Sequence, residues 1–337
     1  MRLEKIRNLL NSHEIDSMVV SNIKNVRYIS GFSGDEGMAV ITRDNAYLIV
    51  DGRFTIQAKE ESKIEVVDYR GNFLKTIGEL LKDNNSKKCA FEGNTMTYSE
   101  ASFMMETINN VSFIPEKDIF ERVRMVKDTS ELKLIKKALE IALEAFNYVK
   151  PQIKAGVTEL DIANELEYRM KKLGASGPSF DTIVASGVRS SLPHGVATNK
   201  VIENGDAVVI DMGAVYRGYC SDITRTVFVG EMTNEQRQIY DLVDRAQKLS
   251  IDKIEKGVSC KEVNEVAVNE FRKKGMDKYF VHSLGHGVGL DVHERPFVAG
   301  RSSDAFEPGM VVTVEPGLYL PNKFGVRIED MVMVPIE

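Results

Sequence analysis

Val208-Val209-Ile210-Asp211-Met212-Gly213-Ala214-Val215-Tyr216-Arg217-Gly218-Tyr219-Cys220-Ser221-Asp222 is the stretch around which this chain is organised. An apolar, β-branched run is broken by one aspartate, turns, and meets a second aspartate before an alternating run from Ile223 to Val229 leads out. The pattern predicts a β-hairpin with two buried carboxylates and a reversal near Arg217-Gly218. With Tyr216-Arg217 as the turn pair, Asp211 falls directly opposite Asp222, their Cβ atoms about 5 Å apart. A bulge at Gly218 would slip that register by one. Like charges facing each other on buried strands destabilise a fold unless a cation sits between them, so the pair asks for a metal.

The same chemistry returns later. Val311-Val312-Thr313-Val314-Glu315-Pro316-Gly317-Leu318-Tyr319-Leu320 runs into Pro321-Asn322-Lys323 and out through Phe324-Gly325-Val326-Arg327-Ile328-Glu329-Asp330. A three-residue turn makes Glu315 and Glu329 cross-strand partners, and Pro316 is tolerated where the ladder breaks. An internal repeat links the two hairpins. Ile153-Lys154-Ala155-Gly156-Val157-Thr158 reappears as Ile254-Glu255-Lys256-Gly257-Val258-Ser259, and Lys172-Leu173-Gly174 as Lys273-Lys274-Gly275. In each copy a helix is expected to end with Gly156 or Gly257 as C-cap, Thr158 or Ser259 to N-cap the next helix, and that helix to stop at Gly174 or Gly275. A histidine-bearing loop and an acidic hairpin follow each time. A duplicated helix-helix-hairpin unit implies two halves related by pseudo-twofold symmetry, with both hairpins meeting at the centre.

A nitrogen ligand is expected within Phe280-Val281-His282-Ser283-Leu284-Gly285-His286-Gly287-Val288-Gly289-Leu290-Asp291-Val292-His293-Glu294. Gly285, Gly287 and Gly289 make a metal-binding helix from the i, i+4 pair His282 and His286 implausible and suit backbone packed closely against a site. His286, between two of those glycines, is the preferred ligand, and His282 a core or supporting histidine. The glycine string lacks the spacing and βαβ context of a dinucleotide fingerprint, and Glu294 does not continue into HExxH. Asp211, Asp222, Glu315 and Glu329 with neutral His286 carry a formal charge of −4, which two divalent cations offset. Oxygen-rich ligands with one nitrogen suit Mn²⁺ or Co²⁺, with Zn²⁺ or Fe²⁺ as alternatives. Two such ions, about 3.5 to 4 Å apart, bridge a water and clamp the oxyanion formed when the resulting hydroxide attacks a carbonyl.

With 337 residues the chain exceeds the usual single-core size. Residues 1–122 alternate strand-like runs (Met18-Val19-Val20, Ala39-Val40-Ile41, Tyr47-Leu48-Ile49-Val50) with helix-like ones (Phe73 to Leu81, Ser99 to Ile108), which predicts a smaller α/β domain. Residues 123–337 form the second domain, giving an α+β chain overall. A net charge of −6 argues against a general nucleic-acid or anionic-membrane binder. No run approaches a membrane span, the start lacks a signal peptide's apolar block, and Cys89, Cys220 and Cys260 form no framework, which suits a reducing cytoplasm.

The set Asp211, Asp222, His286, Glu315 and Glu329, with His194 in Leu192-Pro193-His194-Gly195 and His293 before Glu294, resembles the pita-bread metallopeptidases. The preceding domain resembles the creatinase/prolidase amino-terminal domain, so the likeness spans nearly the whole chain. It implies a pita-bread catalytic domain that cleaves the Xaa-Pro bond of dipeptides or short proline-containing peptides, as Xaa-Pro dipeptidases or aminopeptidase P do, in a homodimer. It also implies that Asp211, Asp222 and Glu329 bind or bridge the metals, that His286 and Glu315 complete their coordination, and that Glu315 acts as general base. His194 and His293 would contact the scissile carbonyl and the tetrahedral intermediate, and Arg327 would back the carboxylates. Family members commonly continue past Glu337, so the final strand is expected to be cut short. Methionine aminopeptidase usually lacks such an amino-terminal domain. Creatinase-like enzymes share the fold without the metal set, and non-catalytic binding relatives have lost ligands that are all retained here.

Overall fold

The computed structural model describes residues 2–336 and divides into two compact units between Val123 and Arg124. In the first, strands β1 (Ser17–Val20), β2 (Met38–Thr42), β3 (Ala46–Val50), β4 (Glu65–Asp68), β5 (Lys88–Glu92) and β6 (Ser112–Glu116) make one mixed sheet in the order β4-β3-β2-β1-β5-β6. β2 pairs antiparallel with β1 and β3, while β3-β4, β1-β5 and β5-β6 are parallel. Parallel neighbours need crossovers, and helices α3 (Thr55–Glu61), α4 (Phe73–Asp83) and α5 (Tyr98–Thr107) supply them; α1 (Arg2–Ser12) and α2 (Ile23–Ser30) flank β1. The central strands read as continuous apolar runs because they are buried along their length.

Helix α6 (Ile119–Met125) carries the chain past the division. The second unit then holds two helix pairs, α7 (Thr129–Val149) with α8 (Glu159–Lys172) and α9 (Asn234–Asp252) with α10 (Cys260–Arg272). The sequence repeat is a structural one. Thr158 and Ser259 both N-cap, each in a reciprocal capping box, with Asp161 and Glu262 respectively. Gly156 and Gly257 are not the helix caps expected of them. The preceding helices are capped at Lys150 and Lys253, the first running on into a short 3₁₀ turn, Lys150–Gln152, that holds Pro151. The two glycines instead hold left-handed turns (φ 93° and 87°) whose N–H groups donate to Ile202 O at 3.0 Å and Phe306 O at 2.9 Å, so each turn is sewn to the equivalent place in its own half.

Strands β8 (Ile183–Ser186), β9 (Ala207–Met212) and β12 (Ile223–Phe228) form the first half's sheet, in the order β12-β9-β8; β7 (Gly177–Pro178), β10 (Ala214–Tyr216) and β11 (Tyr219–Cys220) extend the hairpin beyond it. The second half has β13 (Gly285–Gly287), β14 (Glu294–Val298), β15 (Val311–Val314) and β18 (Asp330–Met333) in one sheet, with β16 (Gly317–Leu320) and β17 (Phe324–Arg327) as the hairpin's outer part. Each half has its own core. Ile141, Phe146, Leu166 and Met170 of α7 and α8 pack on Val208, Ile210 and Met212, whereas Val243, Val263 and Phe271 of α9 and α10 pack on Val312, Val314 and Leu318. Burying each such side chain contributes about 1.5–3 kcal/mol, which is what anchors both hairpins edge-in.

The first hairpin departs from the expected register. Tyr216 pairs with Tyr219 and Asp211 with Thr224, so the turn residues are Arg217-Gly218, not Tyr216-Arg217. Both have positive φ (48° and 84°), the type I′ geometry that matches strand twist. Asp222 is therefore the diagonal neighbour of Asp211 rather than its direct partner. Because the slip is two residues and side chains alternate with a period of two, both carboxylates stay on one face. The second hairpin has the expected register: Val314 pairs with Asp330 and Gly317 with Arg327, which puts Glu315 opposite Glu329 where the ladder breaks at Pro316.

Candidate metal centre

Both hairpins deliver their acids to one place. Donor atoms of Asp211, Asp222 and Glu329 lie within 4.8 Å of one another, as do those of His286, Glu315 and Glu329, and those of Asp222, His286 and His293. The groupings share members, so they describe one continuous cluster spanning both halves. Asp222, His286 and Glu329 are buried, Asp211 and Glu315 partly so. His293 is exposed at the edge, its ring 4.2 Å from that of His286. His194 is exposed, in the turn after Pro193, and lies outside these groupings.

The glycines around His286 are there for space. A Cβ at Gly285 would lie 2.0 Å from Thr313 O, one at Gly287 2.2 Å from Arg295 O, and one at Gly289 2.4 Å from Glu294 Oε1. The His286 Nδ1–H donates to Gly287 O at 3.1 Å, which leaves Nε2 to carry the lone pair when the imidazole is neutral, 3.3 Å from Glu315 Oε1 and 3.6 Å from Asp222 Oδ2. His282 is arranged differently. Its Nδ1 donates to Ser283 O at 2.8 Å and its Nε2 accepts from Tyr319 Oη at 2.9 Å, so both nitrogens are engaged. Asp330, next to Glu329, is likewise taken up, by Arg225 and Gln247 at 2.7 Å each.

Arg327 is buried and binds four partners. Nη2 donates to Asp211 Oδ2 at 2.7 Å, Nε to Thr224 Oγ1 at 3.0 Å, and Nη1 to Tyr319 Oη at 2.8 Å and Pro193 O at 3.0 Å. It thus orients one acid and ties down the segment that carries His194. Burial pushes the Tyr319 hydroxyl up to about 12, keeping it a neutral link between Arg327 and His282. Sequence reasoning missed Thr224, which donates to Glu329 Oε2 at 2.8 Å, and Thr313, which accepts from His286 N at 3.1 Å and donates to Glu315 Oε1 at 3.3 Å. A signal was there: Thr224 is two residues from Asp222 and Thr313 two from Glu315, hence on the same strand faces.

Electrostatics show what the cluster lacks. Burial, then the charges of Glu329, Asp211 and Glu315, hold Asp222 well above the usual carboxylate range, and burial with Glu315 and Asp211 does the same to Glu329. Burial would raise Glu315 too, but its bond to His286 outweighs that and keeps it low; burial would lower His286, and Glu315 reverses it. Asp211 Oδ1 is buried without a hydrogen-bond partner. An orphaned carboxylate oxygen among crowded acids, beside an imidazole lone pair, fits divalent cations and fits no purely protein arrangement as well.

Residues 133–335 match Metallopeptidase family M24, and residues 2–126 match the Creatinase/Prolidase N-terminal domain. The chain is 42% identical over 334 residues to a Xaa-Pro dipeptidase of Pyrococcus furiosus, covering 99% of this chain and 94% of the relative. Among solved structures, a Xaa-Pro dipeptidase from Bacillus anthracis superposes with a TM-score of 0.97 at 42% identity, over 99% of this chain and 94% of that one. An X-Pro aminopeptidase from Thermotoga maritima gives 0.90 at 42% identity, over 96% and 93%. The likeness thus runs along almost the whole chain, and this chain belongs to Metallopeptidase family M24, its catalytic part preceded by a creatinase/prolidase-type domain.

Proposed function

We propose that this chain is a dinuclear-metal Xaa-Pro dipeptidase, hydrolysing the bond between an amino-terminal residue and proline in dipeptides. The observation that carries the reading is the interlocking of the three donor groupings, with Asp222, His286 and Glu329 each in two of them, which suits a pair of adjacent cations rather than one. Asp211, Asp222, His286, Glu315 and Glu329 hold the ions. The mostly oxygen donor set supports Mn²⁺, with Co²⁺ or Zn²⁺ as alternatives. Bound there, two divalent ions lower the pKa of a water and polarise the scissile carbonyl.

The chain's own groups do the rest. Glu315 takes the proton of the attacking water and passes it to the departing proline nitrogen. His293 and His194 donate hydrogen bonds to the carbonyl oxygen as its negative charge grows. Arg327 keeps Asp211 in place and holds the His194 segment against the cluster. The relatives named for action on Xaa-Pro support the substrate class. A second reading, removal of an amino-terminal residue from longer Xaa-Pro peptides, is favoured by the likeness to the Thermotoga maritima X-Pro aminopeptidase. Comparing kcat/KM on Xaa-Pro dipeptides and Xaa-Pro-Xaa tripeptides tests one against the other. Preference for dipeptides supports the first, and activity confined to tripeptides rejects it.

Three further assignments belong to this proposal. The units act as domains over 1–122 and 123–337, supported by the compact division beside that point. The chain works as a homodimer, supported by the exposed apolar side chains Val188, Leu192 and Val196 on one segment, and binds no nucleic acid. It resides in the cytoplasm, a reading that suits the few, buried cysteines Cys89, Cys220 and Cys260, and no described helix is long and apolar enough to cross a membrane.

A further inference from the structure

Four charged side chains outside the metal cluster make a second, separate network. The side chains of Arg124, Lys127 and Glu294 are 4%, 1% and 5% exposed and that of Asp291 is 34% exposed. Arg124 Nη2 donates to Asp291 Oδ2 at 2.6 Å and also, closely, to Glu294 Oε2. Lys127 Nζ lies 2.9 Å from Glu294 Oε1, and Asp291 N donates to Glu294 Oε2 at 3.3 Å. Two cations and two carboxylates balance in charge. Burying them offers no stability that apolar side chains of the same volume could not match, so the network's contribution is a fixed geometry.

The geometry it fixes is that of one turn. Both carboxylates sit on the Gly289–Glu294 segment, one on either side of His293 in sequence. The Glu294 carboxylate is tucked beneath Gly289, where a Cβ would stand 2.4 Å from Oε1. Gly289 N donates to Asp291 O at 2.9 Å and Cys220 N to Gly289 O at 2.8 Å, so the start of the turn is anchored to β11. Between its two gripped ends the turn presents His293 to His286 and Asp222.

We infer that Arg124, with Lys127, is a positioning residue that holds the His293 imidazole at the metal cluster by gripping Asp291 and Glu294 on both sides of it. This rests on the reading of His293 as a donor to the substrate carbonyl. One nitrogen, Nη2, at the far end of the guanidinium reaches both carboxylates, and a lysine there would keep the charge but set its nitrogen back from that place.

The test is a double-mutant cycle in the full-length, Mn²⁺-loaded protein on a Xaa-Pro dipeptide: Arg124→Lys and Arg124→Met, each with and without His293→Ala, with metal content and thermal midpoint measured for every variant. Misplacing a catalytic donor by about 1 Å costs on the order of 100-fold, so Arg124→Met should lower kcat by about tenfold or more, with Arg124→Lys intermediate and KM and metal content within about twofold of the parent. In the His293→Ala background either change should cost less than about twofold, because the group it positions is already gone. Parental kcat in the Arg124 variants, or losses that multiply in the His293→Ala background, would overturn the inference. Where Arg124→Met fails to fold, the Arg124→Lys arm decides on the same criterion. If His293→Ala alone keeps parental kcat, the role of His293 fails, and the positioning claim with it.

Discussion

Buried Arg327 and partly buried Asp211 form an ion pair, Nη2 to Oδ2 at 2.7 Å, that leaves the other oxygen of Asp211 buried and without a hydrogen-bond partner. One oxygen is held so that the other points into the cluster. Replacing Arg327 by Met frees that carboxylate and also releases Pro193 O and Tyr319 Oη. Metal binding should weaken by about 10- to 100-fold, the usual cost of losing a group that orients a ligand. Titration of chelated protein with Mn²⁺ measures this, and an unchanged affinity would separate Arg327 from the centre.

Asp222→Asn should abolish most activity and empty the site, while the metal-free variant melts no lower than metal-free parent. The change removes one charge from a set in which Asp222 is already forced above its ordinary range by burial and three neighbouring acids. Thermal melts in chelator read the balance. A clear drop in midpoint would mean that the Asp222 carboxylate stabilises the fold by itself.

The pH dependence of the metal-free protein follows from the same shifts. Asp222 and Glu329 have folded-state values raised above the unfolded carboxylate value. A raised group contributes stability that is fully present below the unfolded value, near 4, and lost as pH rises through the folded value. His286, also raised, acts in the same direction. These three groups therefore favour the metal-free protein as pH falls from neutral toward the unfolded carboxylate value, against His282 and His293, whose lowered values act the other way, and proton competition weakens metal binding over the same range. The gap in melting temperature between metal-loaded and metal-free protein should narrow over that range. A gap that widens contradicts the charge-crowding account.

His194→Ala and His293→Ala should each lower kcat by about 100- to 1,000-fold, the cost of one donor to a developing oxyanion. Two metals should remain bound and the thermal midpoint should move little, since both side chains are exposed. Early unfolding, or loss of metal at near-normal turnover per occupied site, would reassign them as structural groups or ligands.

The duplication and the two acidic hairpins were legible because each is local, a repeat and a period-two alternation, and the glycine-flanked His286 lies among the acids while His282 is outside the donor groupings. The register of the first hairpin was not legible. The reversal near Arg217-Gly218 was, but counting the pairs from Tyr216-Arg217 misplaced the ladder by two residues, because a non-glycine residue at φ 48°, as Arg217 is, is uncommon. The second hairpin was readable because its three-residue loop leaves Leu320 and Phe324 as the closing pair. Gly156 and Gly257 look like helix caps but are turn residues, since a left-handed glycine serves both uses equally. The grip of Arg124 on Glu294 joins residues 170 positions apart, and no local pattern could reveal it.

The central claim is that four acids from two hairpins, with His286 of β13, hold two divalent ions. The direct measurement is metal content after Mn²⁺ reconstitution and desalting, alongside activity on a Xaa-Pro dipeptide before and after chelation. The account predicts two ions per chain, loss of activity on chelation, and its return with Mn²⁺ or Co²⁺. Occupancy near zero, or full activity in chelated protein, would contradict it.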